Sequence, residues 1–336
     1  MLHTDRPIFV LGATRSGTTL LQLMLHAHPR IAIPPENRFV LPTYDQRLRF
    51  GDLTDPAARR RLGRFIVATK GHRFRGLGLD ADATIAAIEA GPPTVGSALG
   101  TVLRDYARRF DSPRWGDKRP AYYAAIPALL RLFPDAQIVH LVRDPRDTVG
   151  SLKAMPWSRQ DIHHAVARWA QVMAYVDSAA TDHPGVVLEL TYERLCADPE
   201  GELKRLCAGL GEDYDPAMAA PQEIAPAVVP ERRTWHANTR TAPTTEHTGR
   251  WRERLERWEV QLCEAALAKQ MTARGYELSD AGRPPARVLA RYVRVRAARE
   301  AAHRRWLLAD AVRRWREPNP VAAQLTEGPA AADAPD

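Results

Sequence analysis

The chain has 336 residues and a mass of 37.5 kDa, enough for a full hydrophobic core in one large domain or two smaller ones. Its 48 lysines and arginines against 40 aspartates and glutamates leave a net charge of +8, which favours anionic ligands without choosing among nucleotide, nucleic acid and membrane. Cys196, Cys207 and Cys263 show neither CxxC nor Cys/His spacing, which argues against a zinc site or a disulfide framework, and no apolar run reaches transmembrane length.

In chain order, "PIFVLG" (7–12) is a short β-branched run ending in glycine, as expected of a buried parallel strand. With no small-residue cleavage site after it, the expected compartment is the cytoplasm. "GTTLLQLMLHAHP" takes up helical spacing and stops at Pro29, and "RIAIPPE" is a second short apolar run leading to Glu36. From 37 to about 112 the pattern is helical fragments broken by glycine and proline. "RWGDKRP" (114–120) reads as a strand and loop, and "AQIVHLV" is the clearest strand in the chain, followed at once by "RDPRDTVGSLK" with Pro145 in a helical first turn. A long amphipathic helix is expected over 161–180, and "GVVLELTYERL" supplies a further strand and helix start. Residues 220–250 read as one long loop, of the kind that often carries function. Residues 287–316 read as an arginine-rich helix with Leu289, Tyr292, Trp306, Leu307, Val312 and Trp315 as its apolar positions.

Alternation of strands and helices predicts an α/β fold, three-layer α/β/α around a central parallel sheet. Ligand sites are expected at the carboxyl ends of the strands. The expected division is residues 1–280 as one domain with a helical insertion over 37–112, a basic helical extension over 281–318 and a disordered tail over 319–336.

The stretch "LGATRSGTTL" has Gly12 and Gly17 at the spacing of a nucleoside-triphosphate loop, yet Thr18 stands where that loop carries its lysine. Backbone amides of 13–19 at a helix N-terminus can still cradle an anion. A ligand with one 5′ phosphate and a singly charged sulfuryl group needs less neutralisation than a triphosphate, and Arg15 lies within the loop to supply it. "VRDPRDTVGS" adds Arg143 at a strand end and Ser151 eight residues on, a guanidinium and a hydroxyl suited to a second, separate phosphate.

These motifs resemble the sulfotransferases that use 3′-phosphoadenosine 5′-phosphosulfate (PAPS), a P-loop NTPase-like fold, and most nearly their tyrosylprotein sulfotransferase branch with its bacterial relatives. The likeness rests on "GATRSGTTLLQLMLHAHP", "ENR", "DKRP", "RLFPDAQIVHLVRDPR" and "VRDPRDTVGS", and covers about 6–278. It implies that Arg15, Ser16, Gly17, Thr18 and Thr19 bind the 5′-phosphosulfate, that Arg143 and Ser151 bind the 3′-phosphate, and that Tyr192 lies near the nucleotide. Glu36 matches the general base, and Lys118, with Arg15, would oppose charge on the leaving group. Arg250, in "TGRWRERL", is the candidate that closes the 3′-phosphate site, with Thr239 and Arg240 as alternatives. The implied activity is a sulfotransferase with PAPS as donor, no metal, and a hydroxyl acceptor that is a small molecule, glycolipid or peptide. The high Arg and Ala content suggests a GC-rich bacterial source.

Other readings stay open from the residues alone. Glu36 fits a carboxylate at a helix N-terminus, Lys118 a surface ion pair with Asp117, and Tyr192 a core aromatic. His26 and His28 suit packing or capping, while His236 and His247 are rival bases. The basic helix of 287–316 suits a solvated or domain-packing face, or a membrane or carrier-protein surface; nucleic acid is not expected as a partner, and the oligomeric state stays open. The rival functions are a P-loop kinase acting on a small molecule and an inactive nucleotide-binding or membrane-associated scaffold.

Overall fold

The structure, a computed structural model, describes residues 6–155, 158, 161–228, 242–279 and 281–324. Five parallel strands form its sheet: β1 (Ile8–Gly12), β2 (Ile31–Ala32), β3 (Arg114–Lys118), β4 (Gln137–Val142) and β5 (Val187–Thr191), in the spatial order β2-β3-β1-β4-β5. All four pairings are parallel, so every strand delivers its carboxyl end to the same edge of the sheet.

Alternation along β1 builds two cores. Phe9 and Leu11 enter one cluster with Ile138 and Val142 of β4, while Ile8 and Val10 enter the other with Val139 and Leu141. On the second face lies α1 (Thr18–His26), which buries Leu20, Leu21, Met24 and Leu25 there. Four helices and three 3₁₀ turns occupy the stretch between β2 and β3: α2 (Val40–Asp45), α3 (Pro56–Ala68), α4 (Ala81–Ala90) and α5 (Val95–Arg108). Their starts follow local chemistry, for Asp55, Asp80 and Thr94 each accept a backbone N–H bond at the first turns of α3, α4 and α5.

The first face receives α6 (Ile126–Leu132), α7 (Pro145–Lys153) and α8 (Ile162–Asp182), whose Val149, Leu152, Val166 and Trp169 join the Phe9 cluster. After β5 come α9 (Tyr192–Ala197) and α10 (Pro199–Leu210) on the α1 face. The expected loop of 220–250 opens instead with a helix, α11 (Pro221–Val228). Ala225 and Val228 bury against Leu23 of α1, and that apolar contact holds the turn helical despite Pro226. The short α12 (Trp251–Arg254) and the longer α13 (Arg257–Thr272) return to α7 and α8, and α14 (Ala286–Trp315) lies across α8.

Of the stretch expected as a tail from 319, residues 319–324 are described and pack on the body. Val321 is buried, Gly96 donates to its carbonyl, and Gln324 N donates to Ser97 Oγ, because Gly96 on α5 has no side chain to hold this segment away. Residues 325–336 lie outside the described residues. The three cysteines are free and buried, and among the described residues no helix is long and apolar enough to cross a membrane.

His26, at the end of α1, packs against the rings of Tyr106 and Phe110 and accepts the Ile33 amide at Nδ1. Burial pushes its pKa down to about 4. The stability held by this neutral imidazole is fully present above the unfolded value near 6.5 and is lost as pH falls from there toward 4, worth at most about 3 kcal/mol. His26→Asn keeps an acceptor near Nδ1 and should flatten the fall in urea midpoint between pH 6.5 and 4; an unchanged slope would place the titration on another group.

Candidate active site

The strand order fixes which residues meet. Glu36 follows β2, Lys118 ends β3, the Gly12–Gly17 loop follows β1, Arg143 follows β4 and Tyr192 follows β5, so these groups stand in a row along the carboxyl edge. Helices α1 and α7 leave β1 and β4 on opposite faces of the sheet, which opens a crevice between neighbouring strand ends.

The loop turns tightly, with Ser16 N donating to Ala13 O over 3.0 Å. Arg15 and Gly17 take left-handed backbone angles, φ 76° and 97°. A Cβ on Gly17 would sit 2.5 Å from Tyr192 Cδ2, and one on Gly12 would sit 2.5 Å from Leu141 O, so both glycines are required by close approach. Gly17 caps α1 without a side-chain hydrogen bond, leaving the first N–H groups of the helix directed at the crevice. Ser16 is fully buried and its Oγ has no hydrogen-bond partner among the described residues.

Arg143 spans the crevice. Its Nη1 donates to Arg15 O at 3.3 Å, its Nη2 to His247 O, and its guanidinium lies 4.3 Å from the centroid of the Tyr192 ring. Trp169 Nε1 donates to the Arg143 carbonyl, while the buried Arg143 Nε has no hydrogen-bond partner among the described residues. Arg15 reaches back from the loop, its Nε donating to Ser151 Oγ on α7 at 3.2 Å. Both phosphate motifs are thereby joined by direct bonds. Burial, Arg143 and Arg254 together hold the Arg15 guanidinium below the usual arginine range, the mark of cations gathered ahead of an anion.

On the other side of β1, Lys118 is 2% exposed and its Nζ donates to Thr19 Oγ1 at 3.3 Å. It is no surface ion pair. The positive charge missing at Thr18 therefore reaches the start of α1 from β3. The segment of Glu36 is tied to that of Lys118 by a bond between neighbouring residues of each motif: Asn37 Nδ2 donates to Asp117 Oδ1 at 2.7 Å. Asp117 also accepts from Lys118 N and Tyr122 Oη, and its complete burial pushes its pKa up to about 6. Glu36 precedes α2 by several residues and is not the N-terminal carboxylate of a helix; its carboxylate pairs with Arg73 at 3.5 Å and Arg38 at 3.7 Å.

His26 and His28 are buried structural groups, His28 accepting Arg30 N at Nδ1. His247 sits at the Arg143 end, its imidazole held below its ordinary pKa by burial and by Arg143, Arg250 and Arg254. Arg250 starts α12 and turns its Nε toward Glu253, 3.8 Å away. Thr239, Arg240 and His236 lie outside the described residues. Two cations escaped the sequence reading. Arg254, against Gly150 of α7, bears on both Arg15 and Arg143, and Arg168 donates from α8 to Thr14 Oγ1 at 3.3 Å. Neither belongs to a local motif; the only hint for Arg254 was its place in "TGRWRERL".

A three-layer α/β protein with this loop gathers cations at the crevice beside it, an arrangement whose field favours anions. The comparisons narrow the class: residues 7–216 match the model of the sulfotransferase family. The chain belongs to that family and is a transferase. It is 25% identical over 230 residues to a putative protein-tyrosine sulfotransferase of Caenorhabditis briggsae, covering 67% of this chain and 72% of that one. It is 29% identical over 232 residues to the nodulation protein NoeE of Sinorhizobium fredii, covering 62% of this chain and only half of that protein. The sulfotransferase domain from the curacin biosynthetic pathway superposes with a TM-score of 0.56 at 20% identity over 82% of this chain and 100% of the domain, which shows the fold.

Gly17→Ala adds a Cβ at a left-handed position and against Tyr192. The expected cost is about 1–3 kcal/mol in chemical unfolding. Gly71→Ala, where a Cβ meets nothing within 4 Å, should change stability far less in the same measurement.

Proposed function

We propose that the enzyme moves the sulfuryl group of 3′-phosphoadenosine 5′-phosphosulfate to a hydroxyl of a small-molecule, glycolipid or peptide acceptor. One observation carries this reading: Arg15 and Arg143 are bonded into one unit, Arg143 Nη1 to Arg15 O and Arg15 Nε to Ser151 Oγ, so two anion subsites lie side by side. A donor with a 5′-phosphosulfate and a separate 3′-phosphate carries its charge in two such places. The fit is supported by the orphaned donors Ser16 Oγ and Arg143 Nε and by the cradle that a Cβ at Gly12 or Gly17 would fill. In this reading the body of 1–280 is the catalytic domain, with 37–112 shaping the acceptor side and 281–318 an extension of it.

Arg15, Ser16, Gly17, Thr18 and Thr19 would hold the phosphosulfate, Arg143 and Ser151 the 3′-phosphate, and Tyr192 would lie beside the nucleotide with Arg250 and Arg254 at its outer edge. The bound donor supplies an activated sulfuryl group and leaves as adenosine 3′,5′-bisphosphate. Glu36 takes the proton of the acceptor hydroxyl onto its carboxylate as the hydroxyl becomes a nucleophile. Lys118 and Arg15 set positive charge where negative charge grows on the leaving oxygen, at positions already held by Thr19 Oγ1 and Ser151 Oγ. No step in this scheme calls for a metal, and among the described residues no group of His, Cys, Asp and Glu is arranged to hold one.

Calorimetric titration with adenosine 3′,5′-bisphosphate, adenosine 5′-phosphate and ATP with magnesium tests the donor. Tight binding of the bisphosphate alone is expected, whereas preference for ATP with magnesium would replace this reading with a kinase. Arg143→Ala should weaken the bisphosphate about ten- to a hundredfold while leaving the monophosphate little changed; equal losses would overturn the 3′-phosphate assignment. Glu36→Gln should bind the bisphosphate as before and lose about 10²–10⁴ in kcat against any acceptor that the wild type sulfates. Surviving turnover would remove Glu36 as the base, and nucleotide binding with no turnover on any acceptor would favour an inactive scaffold.

A further inference from the structure

The chain's excess charge has one address. Residues 286–316 hold ten arginines against Glu300 and Asp310, a net of +8 that equals the charge of the whole chain; the remaining 38 of its 48 basic residues are matched by the remaining 38 of its 40 acidic ones. This stretch is α14, a helix of 30 residues and so about 45 Å long, together with Arg316 at its C-terminal cap.

Its two faces differ in kind. The inner face recurs at three- and four-residue steps through Val288, Tyr292, Val295, Arg299, His303, Trp306 and Asp310, and it is tied to the body by specific bonds. Arg299 donates to Gln171 and Tyr123, Trp306 Nε1 to Asp45, and Asp310 accepts from Tyr44 and Arg47. These contacts fix which way the helix is turned.

The outer face carries Val293, Ala297, Ala301, Leu308, Val312 and Trp315 at the same steps. Seven large hydrophobic side chains are exposed among the described residues, and six of them are on this helix: Leu289, Val293, Leu307, Leu308, Val312 and Trp315, the last 86% exposed and Leu308 68%. Along one edge of this face run Arg287, Arg294, Arg305 and Arg316, seven and eleven residues apart, which are two and three whole turns. All four are exposed, and none carries an ion pair among the described residues.

We propose that α14 docks the enzyme on the surface of an anionic lipid bilayer, its Val293–Trp315 face sunk into the headgroup boundary and its arginine edge on lipid phosphates. A long apolar ridge rimmed by arginines is the composition of an interfacial helix, in which guanidiniums reach to the headgroups while the apolar face is buried. A second copy of the chain is a poor occupant, because it would set one +8 helix against another. A nucleic acid would match the arginines and leave Leu308, Val312 and Trp315 without apolar cover. The proposal stands on the helix alone and does not depend on the donor or acceptor assigned above.

Flotation of the full chain with vesicles of phosphatidylcholine alone, and of equal parts phosphatidylcholine and phosphatidylglycerol, tests it. Binding to the anionic vesicles, weakened by salt, is expected, with Leu308→Glu/Trp315→Glu lowering the partition coefficient tenfold or more at unchanged thermal stability, since both side chains face solvent. Arg287→Gln/Arg294→Gln/Arg305→Gln should remove most of the preference for anionic over neutral vesicles. The proposal fails if neither vesicle binds, if binding ignores both sets of substitutions, or if RNA displaces the protein from vesicles and binds it more tightly. It also fails if light scattering finds a dimer that Leu308→Glu/Trp315→Glu dissolves, for the face would then be an interface between copies.

Discussion

The bond between the Arg143 guanidinium and the Arg15 carbonyl depends on a constraint of topology. In a parallel sheet of order β2-β3-β1-β4-β5, the chain leaves β1 for one face and β4 for the other. Adjacent strand ends then separate at their mouths, and a crevice opens between them. The groups gathered there are consequences of that opening. The loop after β1 enters it from one lip and the first two turns of α7 from the other, near enough for Arg15 to bond Ser151 in the second turn. Moving either strand one place in the sheet would keep every motif and destroy the site.

Holding those cations together costs stability, and the surrounding structure offsets it. Arg15 and Arg254 are both held below the ordinary arginine range, by burial first and by neighbouring arginines second. Arg143 is stacked on Tyr192, bonded to two carbonyls and anchored at its own carbonyl by Trp169. Behind it, Asp147 accepts Gly249 N and Trp251 N, clamping the segment before α12 to α7, and Arg146 bridges Asp144 and Glu264. Carboxylates therefore brace the back of the crevice, where they fix backbone and helices. An anion entering the front would meet guanidiniums whose positions are already settled, so little ordering remains to oppose its binding.

Much of this was legible in the sequence, for a physical reason. A buried parallel strand followed by a functional loop is a local pattern, and Arg15, Lys118, Arg143 and Tyr192 each stand at or just past such a strand end. What escaped was what only the three-dimensional arrangement joins. Nothing near "ENR" or "DKRP" says that Asn37 bonds Asp117 across 80 residues, yet that bond ties the segment of Glu36 to the segment of Lys118. Arg168 lies mid-helix and looks like any solvated arginine until α8 packs beneath the loop. The opening of the 220–250 segment was misjudged because Pro221 and Pro226 speak for a loop, while the burial of Val228 against Leu23 that decides the matter is tertiary. In α14 the apolar residues were visible, but their division into inner Tyr292 and Trp306 and outer Leu308 and Trp315 needed the neighbours that define inside.

The molecule thus uses positive charge in two physically separate ways. In the crevice Arg143 is buried and Arg15 half-buried, both held in place by hydrogen bonds and Arg143 also by the Tyr192 ring, so salt screens them less than it screens an exposed charge. On α14 the arginines are exposed on flexible stems, and their reach is limited by a Debye length of roughly 8 Å at physiological ionic strength. The first arrangement can discriminate by geometry, because its guanidiniums are held in fixed positions. The second can discriminate only by charge density, because its outer arginines stand on flexible stems along a helix face. With the remainder of the chain electrically balanced, the net charge of the molecule lies on this C-terminal stretch while the crevice keeps its own local field.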